Sequence, residues 1–143
     1  MTNFTTRMMI AAATLVVAAG SASAQTLNAE IPFPFRANGV VMAAGTYQVR
    51  AVNGRSGHPV FLVGNKDGGR SILFLAGAPH DAQKAWAATG QPVLSFQCGT
   101  GPCALAEVWA GRGMPSYNVP RPRLGRDEPT RTAVVVMQYG KGE

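Results

Sequence analysis

Histidine and cysteine are scarce, two of each in 143 residues. His58 and His80 each stand beside a proline, in segments that read as loops. There is no His-x-x-x-His pair and no Cys-x-x-Cys pair, so the usual spacings of metal ligands and of a dithiol redox centre are missing. No histidine follows Cys103, which removes a haem-attachment motif. Ser56, Ser71, Ser95 and Ser116 lie in no Gly-x-Ser-x-Gly turn. The run Gly64-Asn65-Lys66-Asp67-Gly68-Gly69 lacks the Gly-Lys-Ser/Thr ending of a phosphate loop. We therefore expect no catalytic residue, no metal and no cofactor, and read the chain as a non-enzyme. A hydrolase or redox enzyme is the minor alternative.

Long apolar runs are equally short in supply. Met8 to Ala19 is uncharged but only about a dozen residues long, against the roughly 20 that a helical span needs. Arg7 precedes it and Ala22-Ser23-Ala24 follows, the three-part layout of a secretory signal peptide. We expect residues 1–24 to be that signal, with no transmembrane segment after its cleavage, and an exported chain in the periplasm or outside the cell. No cysteine follows the cleavage point, so a lipid anchor is not expected. Removing Arg7 leaves 12 basic residues against 7 acidic ones, a charge of +5. Such a surface suits anionic partners in the envelope, and export argues against nucleic acid.

Residues 25–143 suffice for one domain. Glycine and proline punctuate the chain, and helical periodicity is rare. Leu27, Ala29, Ile31, Phe33 and Phe35 alternate with other residues, which predicts a half-buried strand. Pro32 and Pro34 cannot donate to a ladder and predict an edge position. Arg36-Ala37-Asn38-Gly39 reads as a turn, and Tyr47 to Ala51 as a second strand. Val60 to Val63 and Ile72 to Leu75 flank a Gly-rich hairpin loop and are apolar on successive residues, so both faces are expected to be covered. A short helix is expected from Asp81, its N-cap, to Ala88, with Gly90 past its end. Val93–Cys98, Cys103–Ala110 and Thr132–Tyr139 complete the strands. Residues 111–131, rich in Pro, Gly and Arg, read as an extended loop.

Cys98 and Cys103 enclose Gly99-Thr100-Gly101-Pro102, a four-residue hairpin loop. Opposed across it, they come within disulfide reach, and export provides the oxidising setting. In that register Phe96 opposes Leu105 and Leu94 opposes Glu107, with Trp109 further along the same face. Glu107 is then a candidate buried carboxylate, either a functional acid in a cleft or the partner of an arginine such as Arg50.

Arg112, Arg121, Arg123, Arg126 and Arg131 form the densest cationic stretch and are candidate anion-binding residues, since arginine clamps carboxylates and phosphates with paired hydrogen bonds. The plainer reading is a solvated loop. An anionic envelope polymer or another envelope protein is the expected partner.

Ile31-Pro32-Phe33-Pro34-Phe35, then Asn38-Gly39, then Met42-Ala43-Ala44-Gly45-Thr46-Tyr47-Gln48-Val49 resemble the opening of a functionally uncharacterised family of small secreted bacterial β proteins. Leu105-Ala106-Glu107-Val108-Trp109 resembles its late strand motif, so the likeness runs over residues 29 to 110. Ala43 stands where the family usually has proline, and the Pro/Arg-rich tail departs from the family's charged, helix-like one. The resemblance implies an exported β domain and supplies no catalytic residues.

The expected fold is all-β: a single antiparallel β-sandwich or partly open barrel of about seven strands, with at most one short helix. The expected function is that of an exported, non-catalytic binding or structural domain. The alternative is a carrier that holds a small apolar ligand in a barrel lined by Phe33, Phe35, Phe61, Phe74 and Trp109.

Overall fold

The computed structural model describes residues 26–52, 59–120 and 130–140. The expected signal peptide, His58, Arg121, Arg123 and Arg126 lie outside the described residues.

The chain builds two sheets and moves between them at short breaks. β1 (Leu27–Ile31) ends where Pro32 and Pro34 deny the ladder its donors, and β2 (Phe35–Ala37) resumes in the other sheet. The expectation of one edge strand through Phe35 is corrected accordingly. The prolines lie between strands, and β1 is flanked on both sides. Asn38 and Gly39, at φ 50° and 81°, form a two-residue turn into β3 (Val40–Met42), the geometry in which both turn residues need positive φ. β4 (Gly45–Val52), β5 (Val60–Asn65) and β6 (Ser71–Leu75) return to the first sheet as an antiparallel meander.

β7 (Pro79–His80) opens the second sheet's longer run. A six-residue helix, α1 (Lys84–Thr89), follows. Its N-cap is Gln83, which makes no side-chain cap bond, so Asp81 is not the cap; Gly90 closes the helix in the left-handed conformation, as expected. β8 (Val93–Cys98), β9 (Cys103–Trp109) and β10 (Ser116–Asn118) come next. β10 falls inside the stretch expected to be loop. The last expected strand is two: β11 (Arg131–Val136) in the second sheet and β12 (Gln138–Tyr139) in the first, divided at buried Met137.

The first sheet has the order β12-β1-β4-β5-β6. The second runs β11-β8-β9-β10-β7, with β2 joined parallel to the Cys103 end of β9 and β3 outside it. The result is an all-β sandwich with twelve strands among the described residues, against the seven expected. The excess consists of short pieces that a pattern of period two cannot resolve. Inward side chains of both sheets share one core, including Tyr47, Val49 and Val63 from one sheet and Phe35, Leu94 and Phe96 from the other. No helix among the described residues is long and apolar enough to cross a membrane.

Candidate functional site

The β8–β9 hairpin sets the geometry. Cys98 and Cys103 are joined, S–S 2.08 Å with Cα atoms 4.1 Å apart. Gln97 opposes Ala104 and Phe96 opposes Leu105, the register expected from the cysteines. A bulge then intervenes, and Ser95, not Leu94, faces Glu107. One extra residue exchanges the two faces of a strand beyond it. Leu94 and Val108 therefore point into the core, while Glu107 and Trp109 point to the outside of the second sheet. The expected sharing of one face by Leu105, Glu107 and Trp109 is corrected by this bulge.

Outside the sheet, Trp109 lies under α1. Its ring stacks on that of Trp86 at 6.5 Å, with Val93 completing a small second core, and its Nε1–H donates to the Met114 carbonyl at 2.8 Å. Beside it, register places Ser116 opposite both Trp109 and His80, and Asn118 opposite Glu107. A polar cluster results. His80 Nε2 lies 3.3 Å from Glu107 Oε1 and 3.2 Å from Asn118 Oδ1. His80 Nδ1 lies 3.0 Å from the Asp81 carbonyl oxygen. The side chains of His80 and Glu107 keep 34% and 19% of their surface, enough for a small solute to reach them. Glu107 Oε2 and Ser116 Oγ are buried and make no hydrogen bond among the described residues. Arg50, the partner considered for Glu107, belongs to the other sheet.

The cluster does not assemble a nucleophile. A serine of a catalytic triad is bonded to its histidine, whereas Ser116 Oγ is unbonded and fully buried. Among the described residues no three His, Cys, Asp or Glu side chains gather.

The aromatic residues considered as a cavity lining pack on one another instead. Phe33 and Phe35 meet Phe96 edge-on at 5.1 and 5.5 Å, and Phe35 meets Tyr47 at 5.1 Å. Phe61 contacts Phe74 and Tyr117. Trp109 is not among them, because it lies on the far side of its sheet.

Arg112 and Arg131 are not neighbours. Arg131 stands opposite Cys98 at one end of β8, and Arg112 follows Trp109, which stands opposite Val93 at the other end. Five strand intervals separate these ends, about 17 Å. The Arg112 guanidinium lies over Gly90, at the carbonyl end of α1, where a cation is favoured.

The outer face of the first sheet differs from expectation too. Ile72 and Phe74 are buried but Leu73 and Leu75 are more than half exposed, so β6 is covered on one face only. Register places Val52, Val60 and Leu75 in one row and Arg50, Leu62 and Leu73 in the next. β6 is also the sheet's open edge.

Compared with protein-family models, curated proteins and solved structures, the chain matches none.

Proposed function

We propose that the chain is an exported, non-catalytic β-sandwich that works by attaching its surface to other material of the envelope, in the periplasm or outside the cell. The observation that carries this reading is the aliphatic face at the open edge of the first sheet. Contiguous exposed aliphatics mark interaction surfaces, and an unpaired edge strand can accept another strand. Val52, Leu73 and Leu75 meet the first condition, and Leu73 and Leu75, on β6 itself, meet the second as well. We commit to another envelope protein as the occupant of this face, because its centre is aliphatic and Arg50 is the one charged residue in its two rows.

The packing of the core supports surface action over carriage. Phe33, Phe35, Phe61 and Phe74 are engaged with other rings, so a carried ligand would have to displace their present partners. The disulfide and the signal-like N-terminus support export. Membership of the small secreted family rests on the opening motifs and is proposed on the same footing.

The test is co-sedimentation of the purified protein with isolated envelopes at high salt, where charge contacts are screened. The parent should pellet, and the double variant Leu73→Glu, Leu75→Glu should stay in the supernatant while keeping its far-UV circular dichroism. Equal pelleting of the two proteins refutes the assignment of this face. Absence of pelleting by the parent at any salt concentration refutes attachment altogether.

A further inference from the structure

We infer that His80, Glu107 and Asn118 form a divalent metal site of the Zn2+ type on the outer face of the second sheet, with Ser116 behind it. This inference is independent of the attachment surface on the other sheet.

The first argument is the spacing of donors. Zn2+ takes imidazole nitrogen and carboxylate oxygen at about 2.0–2.2 Å, which puts neighbouring donors of a tetrahedron about 3.3 Å apart. His80 Nε2 stands 3.3 Å from Glu107 Oε1 and 3.2 Å from Asn118 Oδ1.

The second is the state of the imidazole. Nδ1 faces the Asp81 carbonyl at 3.0 Å, and a carbonyl only accepts, so in the neutral ring the proton sits on Nδ1 and leaves Nε2 as the donor to a metal. A metal-bound histidine is held in this way, with the distal N–H on a carbonyl and the other nitrogen's lone pair presented to the ion. In the neutral ring of this tautomer, that lone pair faces the Glu107 and Asn118 oxygens. A cation seated there takes all three as ligands.

The third is the pair of idle oxygens. Glu107 Oε2 and Ser116 Oγ are buried and have no hydrogen-bond partner among the described residues. Buried polar atoms are ordinarily satisfied, and leaving one bare costs free energy. Oε2 is available for bidentate ligation by Glu107. Ser116 stands opposite His80 in register, on the same face of the sheet.

The donors come from β7, β9 and β10, three strands of one sheet, so the site is held by the ladder. One imidazole and one carboxylate favour Zn2+ over Mg2+, which prefers oxygen donors throughout. With only two strong donors, the site is open and exchangeable.

The test is calorimetric titration of the tag-free protein with Zn2+ alone, with the His80 ring followed by NMR. Saturable uptake of one ion per chain is expected, with the His80 ring resonances shifting and Mg2+ failing to compete. His80→Ala and the near-isosteric Glu107→Gln should each weaken binding by at least about tenfold. The variant Glu107→Gln guards against loss of the fold. The rival arrangements place a second proton on His80 or turn the Asn118 amide nitrogen inward, and both give no saturable uptake. That result, or binding equal to the parent's in both folded variants, overturns the site.

Discussion

Tyr47 shows how a polar atom is afforded in this core. The residue is 1% exposed, yet its hydroxyl donates to the Ala43 carbonyl at 2.6 Å while its ring meets Phe35 edge-on. An aromatic side chain contributes area and ring contacts when buried, provided its polar end finds a partner. Tyr47→Phe keeps the area and the ring contact but strips the Ala43 carbonyl of its donor. We expect a loss of about 1 kcal/mol in urea unfolding, with an unchanged denaturant slope. A variant as stable as the parent would show that this hydrogen bond contributes nothing net. Glu107 teaches the complementary lesson. Its type and position in an apolar strand marked it in the sequence as a residue needing a partner. Which partner was not legible, because His80 and Asn118 are 38 residues apart and meet only through the register of β7 on β10.

Among the elements, the β8–β9 hairpin was the most legible and still departed from its reading. The cysteines and the four-residue loop fix the near end, and the disulfide forms there. No cysteine should react with a thiol reagent under denaturing, non-reducing conditions, and two should react after reduction. The Cys98→Ser, Cys103→Ser variant should lose about 2 kcal/mol, the modest value of a short closed loop. Two reactive thiols in the unreduced protein would contradict the bond. Beyond Phe96 the bulge advances the register by one, and no residue type announces it, since Ala106 suits either face. The same limit explains the other departures. Period two identifies a strand but not the sheet to which it belongs. Pro32 and Pro34 read as marks of an edge when they mark a crossing between sheets. Thr132 to Tyr139 reads as one strand because Met137, where the sheets exchange, is as apolar as its neighbours. Leu73 and Leu75 read as buried because hydrophobicity states a preference, and among the described residues no element covers them.

For the molecule as a whole, attachment would combine two contributions that salt separates. The aliphatic face of the first sheet does not weaken as ionic strength rises. The basic surplus does, because exposed charge contacts are screened within about 10 Å at 0.1 M salt. Arg112 and Arg131 stand at opposite ends of β8–β9, so those two do not form one patch, and the densest cationic stretch of the sequence that remains is Arg121, Arg123 and Arg126. Those three lie outside the described residues, and the case for them is their density among Pro120, Pro122 and Pro129, which lower the cost of ordering an extended segment. We propose that they contact an anionic polymer of the envelope. Changing all three to serine should abolish the low-salt component of retention on isolated envelopes or on an anionic matrix. Retention at high salt, the part that Leu73→Glu, Leu75→Glu removes, should persist, as should the unfolding midpoint. If the arginines only solubilise the chain or pair with Asp127 and Glu128, the triple variant will be retained at low salt as well as the parent. That outcome would leave the aliphatic face as the sole means of attachment and remove the anionic polymer as a partner.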